Sequence, residues 1–407
     1  MYAELKRRLK PLYLLGPAVV AGVAYLDPGN VATNLTAGSK YGYLLVWVIV
    51  LANATAWFIQ FLAAKLGIVT GQSLPSIIGS RFKSKSARIS YWVQAELVAM
   101  ATDLAEVIGG AIALNILFDL PLIWGGIITG LVSLLLLSLQ GQGRVRGFEY
   151  VVMSLVAITS AGFVAGLLVA PPNPAQLVDG LIPRFDDQES VLLAVGIIGA
   201  TIMPHAIYAH SALSRDRFPD LYEPGSKERI IKATRWDVSL AMLLAGAVNL
   251  AILLVGAVTL YGSNVDDTII GAHQAISNAL GAGIGILFAI GLLASGLASS
   301  SVGAYAGGVI MEGLLRLQIP LVLRRFITLV PALLVLGMGS SPTTALVLSQ
   351  VALSFGIPFA LIPLITVTSD AQVMGKYVNK TSAKLVGFGI AALLTLLNLV
   401  LVYLLIA

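Results

Sequence analysis

Apolar residues run through this chain in stretches of about twenty or more, each nearly free of charge and closed by a short polar loop. About 20 apolar residues in a helix cover the roughly 30 Å of hydrocarbon in a bilayer, so the pattern predicts membrane-crossing helices. A transmembrane barrel would show short segments of strict alternation instead. Eleven spans can be marked, at 12–38, 43–69, 90–117, 121–139, 147–170, 191–213, 238–262, 283–312, 325–338, 342–369 and 384–406. Two of them are interrupted. The first is broken by Asp27-Pro28-Gly29-Asn30 and the sixth by Met203-Pro204-His205. A proline inside a helix removes a backbone donor and clashes with the preceding turn. Carbonyls freed in this way within a bilayer need protein, water or an ion as partner, and paired breaks of this kind point to a binding site at mid-membrane.

Composition agrees with an all-α polytopic membrane protein. Of the 407 residues 57% are hydrophobic and 11% charged, against about 25% charged in soluble domains. The chain has no cysteine, which excludes disulfides and thiolate ligands, so any soft donor must be methionine. The net charge of +5 reports topology rather than a nucleic-acid partner, because the basic residues segregate. With the N-terminus in the cytoplasm, short inner loops should collect Lys and Arg. The inner side then receives the tail (Lys6, Arg7, Arg8, Lys10), Arg81 to Arg88, Arg144 and Arg146, Arg215 to Arg235, Arg316 with Arg324 and Arg325, and Lys376 to Lys384. The other side keeps Lys40 and Arg184. An odd number of spans follows, with the C-terminus outside. The basic tail leads into a first span without a small-residue cleavage site, so it is read as a retained helix.

Under this topology the two broken spans run in opposite directions. A single transmembrane domain, 1–407, is therefore expected to contain two inverted five-helix repeats, approximately 12–170 and 191–369, with 384–406 as an additional helix. The segment from Asp266 to Gly281 is polar at intervals and reads as a short external helix.

The chemistry concentrates at the breaks. Asp27 costs roughly 2.5–3.5 kcal/mol at a helix centre, which favours a role as cation ligand over a helix cap or ion pair. Asn30 offers an amide oxygen, Gly29 lets the backbone turn, and Pro28 makes the break. Pro204 has no N–H to return to the carbonyl of Ala200, which stays available. Met203 adds a thioether, and a sulfur among oxygen donors favours transition metals over Mg²⁺ and Ca²⁺. In the third span Glu96, Asp103 and Glu106 share one face at helical spacing. That row suits a proton relay, an ion-pair network with arginines such as Arg324 or Arg325, or both. His205 and His210 are five positions apart, which argues against a zinc pair; each is a proton-path or structural histidine. His273 reads as solvated. Gln350, polar within an apolar run, is either a ligand or a bridge between helices. The small residues from Ala294 to Gly308 read as close helix packing.

Asp27-Pro28-Gly29-Asn30 and Met203-Pro204-His205 together resemble the paired signatures of the Nramp family of proton-coupled divalent metal transporters. The acidic Ala101-to-Glu106 stretch, the Arg324-Arg325 pair and Leu348-Ser349-Gln350 extend the likeness over nearly the whole chain. The resemblance implies the fold of the sodium-coupled amino-acid symporters. It further implies that Asp27, Asn30, the Ala200 carbonyl and Met203 hold the metal, with the Ala24 carbonyl and Gln350 joining in some conformations. Asp27, Asp103, Glu106 and His205, with the arginine pair, would form the proton route. The expected cargo is Mn²⁺ or Fe²⁺ with protons as co-substrate and no cofactor. The expected setting is a bacterial inner membrane, with lipid around a functional monomer and no nucleic-acid partner.

Three rival readings remain at this stage. A sodium-coupled carrier of amino acids or other organic solutes would share the scaffold, but Asp27 would repel a substrate carboxylate. A metal-dependent membrane enzyme would need a His, Asp and Glu cluster around an activated water. A passive channel would not couple uptake to a pH gradient.

Overall fold

The computed structural model describes residues 16–140, 145–217, 226–263, 268–317 and 320–406. The basic N-terminal tail and Arg144 lie outside these residues. The chain folds into α1 (Pro17–Gly22) continued by a 3-10 turn (Val23–Leu26), α2 (Pro28–Tyr41), α3 (Val46–Thr70), α4 (Leu74–Arg81), α5 (Lys85–Phe118) and α6 (Leu122–Gln140). Next come α7 (Val145–Val169), α8 (Pro174–Asp179), α9 (Gln188–Thr201), α10 (Pro204–Arg217), α11 (Ser226–Thr259) and α12 (Ile269–Leu280). The last part holds α13 (Ala282–Leu315), α14 (Leu321–Gly337), α15 (Pro342–Thr368), α16 (Ala371–Met374) with a 3-10 turn (Gly375–Tyr377), and α17 (Thr381–Ile406). Among the described residues there is no strand.

Each of the eleven spans read from the sequence falls on a helix or a broken pair of helices. Among the described residues seven are long and apolar enough to cross a membrane by length and composition, and Pro17–Leu26, Leu122–Leu135 and Met153–Val169 form shorter apolar helices. The segment expected to form a short helix does so as α12, with Asp266 and Asp267 outside the described residues. One detail of the charge reading changes: Arg324 and Arg325, counted as loop cations, are 3% and 0% exposed inside α14. Their partners, described below, make that burial possible.

Why the first span breaks is visible in its hydrogen bonds. Asp27 takes extended backbone angles (φ −71°, ψ 164°) and caps α2, accepting from the Asn30 amide N–H at 2.8 Å. The carbonyls left open just before it find side chains from distant helices. Asn249 of α11 donates to the Tyr25 carbonyl at 2.9 Å, and the Ser295 hydroxyl of α13 donates to the Leu26 carbonyl. At the start of α1 the Asp237 carboxylate accepts from the Gly16 and Ala18 amides at 3.1 and 2.9 Å. Four backbone groups of the broken helix are thus answered by side chains from other helices, as a low-dielectric surround demands.

The helices on either side of the breaks pack in matching pairs. α2 lies along α11, and α10 lies along α3; α13 crosses both α5 and α7. The pairs are close because glycine sits at the crossing. A Cβ on Gly38 would stand 2.1 Å from the Leu253 carbonyl oxygen of α11, and one on Gly67 would stand 2.1 Å from that of Ser211 in α10. Both obstacles are backbone and cannot rotate away. Gly38→Ala is therefore expected to lower stability by about 1–3 kcal/mol, the usual cost of overpacking, read as a lower Tm in detergent.

α2 and α9 are also fastened where they end far from the breaks. Lys40 pairs with Glu189 at 2.6 Å, and the Tyr41 hydroxyl donates to Asp187 at 2.5 Å.

Candidate functional site

The two breaks meet. The Asn30 side-chain nitrogen of α2 donates to Asp27 Oδ1 at 3.1 Å and to the Ala200 carbonyl at the end of α9 at 2.7 Å. One amide thus bridges the carboxylate of the first break and the carbonyl that Pro204 leaves open in the second. Asp27, Asn30, Met203 and Gln350 are each fully buried, and Ala24 and Ala200 are likewise inside. Ile202, with φ −110° and ψ 62°, turns the chain between α9 and α10, so Met203 leaves the helix axis within three residues of Ala200.

Gln350 of α15 completes the cluster. Its side-chain nitrogen donates to Asp27 Oδ2 at 3.3 Å and to the Ser349 hydroxyl at 3.1 Å. This approach depends on Gly29, because a Cβ there would stand 1.7 Å from the Gln350 nitrogen. Asp27 Oδ1 is occupied by two donors from Asn30, Oδ2 has the longer contact with Gln350, and the Gly29 amide also turns toward the carboxylate. Around them the Asn30 Oδ1, Gln350 Oε1 and Thr201 Oγ1 atoms are buried without a hydrogen-bond partner. A buried acceptor left unpaired is costly. Turning either amide over would present its oxygen to the carboxylate or the carbonyl, an arrangement that a cation between them stabilises. Asp27 therefore serves as a helix cap through Oδ1 while Oδ2 faces Gln350.

Beside this cluster lies a second one. Pro28 rests on Gly109 of α5, where a Cβ would stand 2.0 Å from the proline ring. One turn earlier on the same helix is Glu106. Its carboxylate, with those of Asp103 and Glu96, faces the two arginines of α14. Arg324 meets Glu96 at 3.0 Å and Asp103 at 3.6 Å. Arg325 meets Asp103 and, at 3.3 Å, Glu106, and it donates to the Ser133 and Ser300 hydroxyls. Three carboxyl groups share two guanidinium groups, so the cluster can hold one proton and stay neutral. His205 Nδ1 lies 3.2 Å from the Thr102 hydroxyl, one residue before Asp103. His210 belongs elsewhere: its Nδ1 is 2.7 Å from Gln60 Oε1, and the Gln60 nitrogen donates to the Tyr25 hydroxyl. The far nitrogens of both histidines are buried without a hydrogen-bond partner. His273, half-buried on α12, lies 3.4 Å from the Ser277 hydroxyl and beside Gly285 of α13. Among the described residues no three His, Asp and Glu side chains gather in metal-ligating geometry. The cluster at the breaks presents one carboxylate, Asp27, among neutral oxygen atoms, with Met203 buried three residues from Ala200.

The family model described as "Natural resistance-associated macrophage protein-like" matches residues 18–404. This chain belongs to the Nramp family. Within it, a divalent metal cation transporter of Mycobacterium tuberculosis is 56% identical over 395 residues, 96% of this chain and 91% of the relative. The Nramp chain also superposes on a solved manganese transporter of Eremococcus coleocola with a TM-score of 0.85 and 34% identity, covering 95% of this chain and 86% of that one. A transporter of the nucleobase-cation-symport-1 family shares the fold alone, with a TM-score of 0.54 and 15% identity over 96% of this chain.

Several residues of the Nramp site carry no motif. Asn249, Ser295, Ser300, Ser133 and Gln60 hold the breaks, the arginines or His210, and the small-residue run of α13 does more than pack. Gly303 and Gly307 leave room for the Glu106 carboxylate and the Arg324 guanidinium, which a Cβ would approach to 2.8 and 1.9 Å. The available signal was polarity within apolar spans, because a buried polar side chain in a membrane helix nearly always has a partner.

Proposed function

We propose that this multi-pass membrane protein imports divalent transition-metal ions, with Mn²⁺ or Fe²⁺ as cargo, and couples their entry to protons by alternating access. The carrying observation is the Asp27 carboxylate at the junction of two broken helices, surrounded by buried acceptors without donors. The Asp27 carboxylate, the Asn30 and Gln350 amide oxygens, the Ala200 carbonyl and the Met203 sulfur are the ligands, with the Ala24 carbonyl joining when α1 moves. Binding turns the Asn30 amide over, so the ion replaces Asn30 as the bridge between the breaks.

In this reading a proton displaced from Asp27 passes to the Glu106, Asp103 and Glu96 cluster, where the two arginines hold the remaining charge. His205 stands beside that path and His210 at the Tyr25 end of the first break. The chain lies in the bacterial inner membrane with its N-terminus in the cytoplasm and acts as a monomer. Its repeats cover approximately 12–170 and 191–369, with α17 outside them. A membrane voltage contributes about 2.3 kcal/mol per charge per 100 mV to inward movement of the ion.

The test is flux of a panel of divalent ions into proteoliposomes with internal pH recorded. Met203→Ala is expected to admit Ca²⁺ and Mg²⁺ about tenfold better relative to Mn²⁺, because the thioether is the donor that hard cations accept poorly. Unchanged ion selectivity would remove the role given to the sulfur. Metal flux that ignores an imposed pH gradient would remove proton coupling.

A further inference from the structure

Helix α15, which carries Gln350, contains Pro358 and Pro363. Each proline leaves open the carbonyl four residues earlier, and these are the carbonyls of Ser354 and Phe359. Neither is left bare. The Asn398 amide of α17 donates to the Ser354 carbonyl at 3.0 Å, while the Ser354 hydroxyl donates back to Asn398 Oδ1 at 2.7 Å. The Tyr91 hydroxyl of α5 donates to the Phe359 carbonyl and lies 3.0 Å from the Tyr208 hydroxyl of α10. Two gaps in one helix are therefore plugged by side chains from two others.

Both plugs stand at the wall of an apolar groove of about 430 Å³ lined by Tyr91, Pro358, Phe359, Pro363, Asn398 and Leu399, among others. Without them the two carbonyls would lose these partners. Asn398 is only 5% exposed on an apolar helix that is otherwise largely exposed. A buried asparagine in such a helix is expensive unless it is bonded.

The geometry points to Asn398 and Tyr91 as positioning residues for the metal site: by satisfying the carbonyls that Pro358 and Pro363 open, they set the bend of α15 and so hold Gln350 against Asp27. Prolines are where helices bend. Gln350 lies eight residues before Pro358, about 12 Å along the helix, so a tilt of about 5° displaces its side chain by about 1 Å. The segment has no slack to absorb that. A Cβ on Gly199 would stand 2.0 Å from the Gln350 carbonyl, and one on Gly356 would stand 3.1 Å from Pro204 in the second break. In this account the eleventh span, outside the proposed repeats, supports the ligand set from behind.

The inference rests on the metal site proposed above, and one series separates the two. Mn²⁺ binding to purified protein is measured by titration calorimetry, alongside the KM for uptake and Tm, for wild type, Asn398→Leu, Pro358→Ala and Pro358→Ala/Asn398→Leu. Asn398→Leu is expected to weaken Mn²⁺ binding and raise KM by about tenfold. The double variant regains most of that loss, because alanine at 358 supplies the N–H that Ser354 lacks. Leu394→Ala, which thins the same α15–α17 contact without touching a carbonyl, lowers Tm and leaves KM unchanged. Should Asn398→Leu fail to fold, Tyr91→Phe with and without Pro363→Ala reads the same coupling at the second gap. Wild-type affinity in Asn398→Leu, or a double variant no better than Asn398→Leu, overturns the inference. Wild-type protein that binds no Mn²⁺ overturns the metal-site reading itself.

Discussion

Asp27→Asn is expected to abolish metal uptake while leaving the fold in place. Asparagine keeps the shape and caps a helix about as well as aspartate, so the bond from the Asn30 amide N–H and the start of α2 survive. What disappears is the only formal negative charge in the proposed ligand set. Stripping the charge from one partner of a buried, hydrogen-bonded ionic contact costs about 2–5 kcal/mol, so affinity should fall by at least about thirtyfold. Calorimetry with Mn²⁺ and proteoliposome uptake read the loss, and Tm read by intrinsic fluorescence shows that the protein still folds. Uptake within about threefold of wild type would mean that the carboxylate does not hold the ion.

The second large effect falls on stability. Arg325 is fully buried and contacts Asp103, Glu106, Ser133 and Ser300, drawn from α5, α6 and α13. Arg325→Leu leaves two carboxylates facing each other in a low dielectric with one cation fewer. Breaking a buried pair from one side costs about 3–5 kcal/mol, a large share of the 5–15 kcal/mol typical of a folded protein. Folded yield and Tm should therefore collapse. Arg325→Lys keeps the charge but lacks the planar fork that reaches several oxygens at once, and it should fall between wild type and leucine. Arg325→Leu/Asp103→Leu should recover part of the loss, since removing both partners avoids stranding a charge. A single Arg325→Leu variant with wild-type Tm would show that the cluster does not hold the helices together.

How much of this could be read beforehand follows from what a bilayer forbids. Backbone groups in hydrocarbon must pair within one helix, so apolar runs translate directly into spans, and a proline beside Asp27 or Met203 marks where the rule is suspended. The spacing of Glu96, Asp103 and Glu106 put them on one face, and the face that receives Arg324 and Arg325 is that one. The supporting pairs were not legible. Asn249 meets Tyr25, Ser295 meets Leu26, and Asp237 meets Gly16 across more than 200 residues of chain. A sequence shows that such side chains are polar, but only the packed helices decide which carbonyl or amide each reaches. The plugs at Ser354 and Phe359 were hidden for the same reason, although Pro358 and Pro363 announced that something must fill the gaps.

The clasp between α2 and α9 has a mechanical corollary. With Lys40 against Glu189 and Tyr41 against Asp187 at one end, and Asn30 against Ala200 at the other, these half-helices form the two rails of a ladder joined by rungs top and bottom. Neither rail can swing alone; both lean together or a rung parts. Solvent reaches the upper rung, so concentrated salt weakens it, while the lower rung is shielded and yields only to a rival for the same carbonyl oxygen.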